Sequence, residues 1–178
     1  LIDEKEDKME DLELAKQGDY EALEREINKI KYKLYKTGMA ILKNDEDVCD
    51  ALQETLISIY KNIKKLEKNE YFSTWAIRIL INKCNDIIRK NKKITNINEK
   101  MQIDTINYYE IYEKESTLEQ VLNKIDENLR LITVLYYYND LSVSKISETL
   151  NIPEGTVKSR LARARTKIYE LLKDEGGE

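Results

Sequence analysis

The sequence predicts an all-α protein, two small helical domains joined by a flexible linker. Three observations carry that reading. Glycine and proline number only five and one in 178 residues, while helix-favouring Leu, Lys and Glu are abundant. Apolar residues recur at spacings of three and four along most of the chain. That recurrence lapses between Asn91 and about Ser116, in a stretch rich in Asn, Thr and acidic groups that reads as a tether. A hydrophobic content of 41% supports modest cores, and 36% charged residues imply much exposed helix surface.

Taken in order, residues 1–13 set Asp3, Glu4, Glu6, Asp7, Glu10, Asp11 and Glu13 against only Lys5 and Lys8, and are expected to fray. Periodicity begins near Leu12 and continues through Leu23, Ile27, Ile30 and Leu34. Asn44 or Asp45 would cap the next helix, whose stripe is Val48, Leu52, Leu56, Ile59 and Ile63. A polar stretch, KKLEKNEYFS, precedes the helical TWAIRILINKCNDIIRK, with Trp75, Ile79 and Ile87 among its apolar positions. Beyond the tether the pattern returns at Leu118, Val121, Leu122 and Ile125. It runs on through Leu129, Ile132, Tyr136, Val143, Ile146 and Leu150, and ends with Val157, Leu161, Ala164 and Ile168. The expected domains are 1–92 and 117–178, with 93–116 as linker.

Several function classes fall away. There is no histidine, which argues against a His-dependent triad and most zinc sites. Cys49 and Cys84 stand far apart and read as reduced, partly buried thiols. The acidic run Asp45, Glu46, Asp47 and Asp50 lacks a convergent partner for a metal. The chain is therefore expected to be no enzyme, with no cofactor, no metal and no small-molecule substrate. No apolar run approaches the ~18 residues that span a bilayer, and no signal peptide is visible, so a cytoplasmic protein without direct membrane insertion is expected.

The net charge is −4, yet GTVKSRLARARTKI, residues 155–168, carries five cations and no acid. The surrounding sequence has the form of a helix-turn-helix. Ser142 can cap a short helix with Val143, Ile146 and Leu150 inward. Pro153 and Gly155 in NIPEG supply the break. In the helix that follows, Val157, Leu161, Ala164 and Ile168 share a face within roughly 60° of arc at about 100° per residue. Ser159, Ala162, Arg163 and Thr166 lie opposite, flanked by Lys158 and Arg165 on one side and Arg160 and Lys167 on the other. A helix in a major groove needs that division, with outer residues for base edges and flanking ones for phosphates. Counterion release lets a local basic face bind DNA despite net acidity. A solvated basic helix is the plainer alternative, weakened by the preceding helix and turn.

VLYYYNDLSVSKISETLNIPEGTVKSRLARARTKI resembles region four of bacterial extracytoplasmic-function (ECF) sigma factors, a group within the sigma-70 family. LELAKQGDYEALE, DVCDALQETLISIYKNI and FSTWAIRILINKCNDIIRK are similar to that group's region two, in the expected order. The resemblance implies a dissociable initiation subunit of RNA polymerase. Its front domain would dock on the clamp of the core enzyme's beta-prime subunit and melt the −10 element. Its rear domain would read the −35 element. A cognate anti-sigma factor, in many members membrane-anchored, would hold it inactive.

The same resemblance assigns roles to residues. Asp47, Asp50, Gln53 and Glu54 would meet the clamp, with Leu56 and Ile57 packing nearby. Asn69, Tyr71, Phe72, Ser73, Thr74 and Trp75 would capture an unstacked base, the aromatics by stacking and the polar groups at its edge. Arg78, Asn82, Lys83, Arg89 and Lys90, with Lys92 and Lys93, would follow the melting strand. Gly155, Thr156, Lys158, Ser159, Arg160, Arg163 and Arg165 would read the −35 element, with Arg163 on a base and Arg160 on a phosphate. Two departures touch packing: Ile125-Asp126 replaces a frequent Leu-Pro, and Ser147 replaces a small Ala, so its hydroxyl needs a partner. A flexible tether of about 25 residues has a root-mean-square span of ~27 Å. The free domains are therefore expected to lie close or variably placed until polymerase holds them apart. The acids Glu99, Asp104, Glu110, Glu113 and Glu115 would suit a path through a nucleic-acid channel. The rival reading is a dimeric helix-turn-helix regulator that binds DNA alone.

Overall fold

The computed structural model describes residues 11–95 and 117–175. Residues 1–10, the tether with its acidic residues, and the side chains of Lys93 and Leu118 lie outside the described set. Among the described residues every regular element is helical.

The first helix, α1 (residues 11–17), begins where fraying was expected. Asp11 and Leu12 are ordered and buried because Asp11 meets Arg25 (2.6 Å) and Lys29 (3.5 Å) on the next helix, which overrides the repulsion among neighbouring acids. Continuous periodicity from Leu12 hides a break. Gly18 takes φ +106, and the Asp19 amide reaches back to the Leu14 carbonyl (3.0 Å), closing α1 as a Schellman turn. Asp19 then caps α2 (Tyr20–Leu42) by accepting from the Ala22 amide. Lys43, in the left-handed region, ends α2, and the Asn44 side chain caps α3 (Asp45–Asn62). Asp45, Glu46 and Asp47 in the first turn suit the helix dipole. Two 3-10 turns, Ile63–Lys65 and Asn69–Tyr71, lead into α4 (Phe72–Thr95), so helix continues three residues into the expected linker.

Helices α2, α3 and α4 pack mutually around Leu34, Ile59, Ile77 and Leu80, all almost or wholly shielded from water. Each such side chain contributes about 1.5–3 kcal/mol. At Gly38 a Cβ would stand 3.0 Å from a Val48 methyl, so the glycine is what lets α2 and α3 approach there. The inner face of α4 is Phe72, Ala76, Ile77, Leu80, Ile81 and Cys84, while the expected Trp75, Ile79 and Ile87 only flank it. Likewise Ala51 and Thr55 fill α3's inner stripe and Leu56 turns outward. The thiols divide: Cys49 is exposed, and Cys84 is sealed in the core, where burial pushes its pKa up to about 12.

The second domain comprises α5 (Thr117–Lys124), α6 (Glu127–Tyr137), α7 (Val143–Leu150) and α8 (Glu154–Glu175). Asp126 caps α6 by accepting from the Asn128 amide (3.0 Å), so the departure from Leu-Pro supplies a cap. Ser147 finds its partner in the Ile152 carbonyl (2.6 Å). The domains are docked, α6 against α2 and α7 against α4. Buried Arg130 donates to the Ala40 carbonyl (2.7 Å), and Asn139 donates to the Thr37 hydroxyl (2.8 Å).

The Asp11 pair yields a pH prediction. The hydrogen bond from Arg25 is the largest influence holding the Asp11 carboxyl below its ordinary range, with the charges of Arg25 and Lys29 adding to it. A lowered folded pKa gives stability that is present above the unfolded value of about 3.9 and lost as pH falls through the folded value. Asp11→Asn is therefore expected to be the less stable protein at pH 7 and to match the parent under acid, by urea midpoints across pH. A pH-independent gap would contradict it.

Candidate nucleic-acid interface

The α7–α8 pair is built as the sequence suggests. Ser142 accepts from the Lys145 amide (3.2 Å), and α7 closes at Asn151, whose φ of 52 makes it the left-handed residue of the turn. Gly155 plays no such part: it lies inside α8, and a Cβ there would meet nothing within 4 Å. The helix opens at Glu154, with the Pro153 carbonyl accepting from the Thr156 and Val157 amides.

Val157, Leu161 and Ala164 are buried and Ile168 half-buried, while Lys158, Ser159, Ala162, Arg163 and Thr166 are exposed. Arg160 is partly covered, as its lateral position requires. Lys158 lies 3.7 Å from Glu154 one turn back, a weak exposed pair that a phosphate can displace. Arg163 has no carboxylate within ion-pair range among the described residues. Arg165 is committed elsewhere. Its Nε donates to the Tyr137 hydroxyl (2.9 Å), which raises its pKa, and its guanidinium lies over the Tyr136 ring. It ties α8 to the end of α6 while remaining exposed to solvent.

The front domain carries its candidate residues on α4 and the turn before it. Tyr71 is exposed, and Ser73, Thr74 and Lys83 are half-exposed; Arg78, Asn82, Arg89 and Lys90 face solvent. Phe72 does not join them. It is 3% exposed, because its position falls on α4's inner face, so it offers no ring to a base. Trp75 is half-buried against the core beside Phe72, with ring centroids 6.3 Å apart. Asn69 donates to Glu13 (2.9 Å), anchoring the turn to α1. Tyr71 is flanked by cations that sequence reasoning did not assign to it, Lys68 at 5.6 Å and Lys145 at 4.4 Å from its centroid. Lys68 was findable, three residues back along the turn; Lys145 comes from α7.

On α3, Asp50, Gln53, Glu54, Leu56 and Ile57 are exposed and Asp47 is partly covered. The Glu54 carboxylate meets Lys83 on α4 at 3.3 Å. Glu54, Lys83, Asp86, Ile87, Arg89 and Lys90 line a shallow open groove of about 280 Å³, which joins the acidic face to the basic one. Asp86 also pairs with Arg89.

The α7–α8 pair has the form of a helix-turn-helix set beside a front helical bundle, and comparison with known families specifies the class. Residues 23–94 match the family description "Sigma-70 region 2" and residues 116–168 match "Sigma-70, region 4". The chain is 31% identical over 175 residues to "ECF RNA polymerase sigma factor SigW" of Bacillus subtilis (strain 168), covering 90% of this chain and 94% of the relative. It is 25% identical over 155 residues to the Mycobacterium tuberculosis ECF factor SigM, covering 87% of this chain and 79% of that one. Among solved structures, the fold resembles RpoE bound to the anti-sigma factor NepR, from Bartonella quintana, with a TM-score of 0.72, 21% identity, and coverage of 85% of this chain and 96% of that one. It also resembles CnrH bound to the cytosolic domain of CnrY, with a TM-score of 0.67, 20% identity, and coverage of 96% and 99%. The chain belongs to the ECF sigma factors of the sigma-70 family, which are transcription initiation factors and not enzymes.

Proposed function

We propose that this protein binds core RNA polymerase through α3, reads a −35 element with the outer face of α8, and captures the melted −10 strand at Tyr71 and along α4. The observation that carries the reading is the sorting of α8: Val157, Leu161 and Ala164 sealed inward, Lys158, Ser159 and Arg163 presented outward. Arg163 is assigned to a base edge and Arg160 to a phosphate. Gly155, where a Cβ would meet nothing within 4 Å, leaves room for the backbone to approach the duplex, and Thr156 follows it in the first turn. Tyr71 supplies the stacking surface, with Ser73 and Thr74 beside it and Arg78, Asn82, Lys83, Arg89 and Lys90 along the strand path. Asp47, Asp50, Gln53, Glu54 and Ile57 form the surface for the beta-prime clamp; the front and rear domains are assigned to 1–92 and 117–178, with α4 running on to Thr95.

A cognate anti-sigma factor completes the proposal, supported by the two similar folds solved with such partners. A membrane-anchored partner fits the neighbour solved with the cytosolic domain of CnrY. No helix among the described residues is long and apolar enough to cross a membrane, and the cytoplasm is where polymerase and promoters meet this chain.

The test is run-off transcription with core enzyme on genomic fragments. Transcripts that require this chain and start downstream of paired −35 and −10 elements are expected. DNA binding as a palindrome-bound dimer with no effect on core would sink the proposal in favour of an ordinary regulator. Reversing one charge on the clamp surface, Asp50→Lys, is expected to weaken core binding about tenfold, or ~1.4 kcal/mol. Glu24→Lys, exposed on α2, serves as the control. Equal retention of both variants in a pull-down would move the core contact off α3.

A further inference from the structure

Two flanks of α8 stand beside its outer face. A helix ~10–12 Å across with its side chains fills a major groove about 12 Å wide, so the phosphates of both walls come within reach. Arg160 lies on one flank. The other carries Lys158 and Arg165, about 10.5 Å apart along the axis at ~1.5 Å per residue. These two cations differ in how they are held. Lys158 has a flexible stem and an exposed pair with Glu154 at 3.7 Å. Arg165 is braced by two aromatic rings.

The brace comes from the end of α6. The Arg165 Nε donates to the Tyr137 hydroxyl at 2.9 Å, and the guanidinium carbon lies 5.9 Å from the centre of the Tyr136 ring. The two tyrosines meet edge to face, with centroids 4.9 Å apart, so each steadies the other. Tyr137 is 52% exposed, which places the brace at the surface and outside the core. Ordering long side chains there costs conformational freedom and returns little stability to the fold. The tie also spares the useful end of the side chain. Nε is the nitrogen nearest the backbone. The two terminal nitrogens, which can hold a phosphate side by side, meet no carboxylate among the described residues.

We infer that Tyr137 is a positioning residue for DNA binding: with the Tyr136 ring it holds the Arg165 guanidinium ready to grip a backbone phosphate on the wall of the −35 groove opposite Arg160. The inference rests on the reading of α8 as the helix that enters that groove. The grip carries no sequence information, since a phosphate is alike at every base pair. It fixes the orientation in which Arg163 meets its base edge. What the tyrosines add is preorganisation, because an arginine already fixed loses less freedom when the phosphate arrives.

The experiment titrates the full chain against a fluorescent random-sequence duplex pool, over salt from about 50 to 200 mM. Arg165→Ala is expected to make the salt slope shallower by about 0.9, the share of one phosphate, as Arg160→Ala does for the other wall. Tyr137→Phe keeps the ring and every charge, and is expected to weaken binding about threefold through the lost hydrogen bond. In an Arg165→Ala background the same change is expected to weaken binding no further, because Tyr137 acts through Arg165. Arg165→Lys keeps the charge without Nε or the fork, and is expected not to restore the parent affinity. Tyr169→Phe removes another exposed hydroxyl one turn along α8 and is expected to bind as the parent does. An unchanged slope in Arg165→Ala, or the same Tyr137→Phe loss in both backgrounds, would overturn the grip. So would a Tyr137→Phe chain with a lowered urea midpoint and parental affinity, the mark of a purely structural tie. Slope lost in Arg160→Ala but kept in Arg165→Ala removes the grip and leaves α8 in its groove. Slopes kept in both remove the groove reading, and the grip with it.

Discussion

Shortening Leu80 to alanine is expected to lower the unfolding free energy by about 2–5 kcal/mol, the range for a buried leucine whose cavity cannot fully collapse. Leu80 is 0% exposed and sits on the inner face of α4, the helix that packs against both α2 and α3. Its nearest turns are already occupied by Ala76, Ile77 and Cys84, none of which can lengthen to fill the gap. At a urea dependence of about 1–3 kcal/mol per molar, the loss moves the midpoint by roughly a molar or more. Ile79→Ala, one residue along but only half-buried, is expected to cost less than half as much. Equal losses from the two substitutions would mean that α4 is rotated from the orientation described, and the solvent face carrying Arg78, Asn82 and Lys83 would rotate with it.

Arg163→Ala is expected to reduce transcription from −35-dependent promoters by roughly 5- to 150-fold, the equivalent of losing a base contact worth about 1–3 kcal/mol. The diagnostic feature is selectivity. In a library with a randomised −35 element, preference at one base position should relax while the others persist. Arg160→Ala, on the flank, should weaken all sequences alike and lower the salt slope by about one. Exchange of these two behaviours would reverse the base and phosphate assignments made from the helix rotation. Loss of folding in Arg163→Ala is not expected, because the side chain is exposed and makes no ion pair among the described residues.

The legibility of this protein in its sequence is uneven for physical reasons. The inner face of α8 was readable because an amphipathic helix writes its faces at fixed angular spacing, and Val157, Leu161 and Ala164 had no competing pattern. In α3 and α4 the strongest hydrophobes misled. Leu56, Ile79 and Ile87 are larger than Ala51 and Ala76, but close helix packing selects small residues for the innermost positions, and a size-weighted stripe drifts by a fraction of a turn. A motif position suggests a base-stacking role for Phe72, whereas its burial depends on where α4 begins. The local run of acids suggests a fraying tail at Asp11, whose partner, Arg25, lies on the far side of the Gly18 turn.

Composition, periodicity and local motif by themselves determined the all-α class, the two-domain division, and the basic outer face of α8, since each is set by residues within a few turns of one another. Only the tertiary structure decided that Arg130 would be buried against the Ala40 carbonyl, that Asn139 would meet Thr37, and that Lys145 would cover Tyr71. Those pairings join residues 74–102 positions apart along the chain. No local free-energy preference records them, because their stability arises when two separately folded surfaces exclude water from each other.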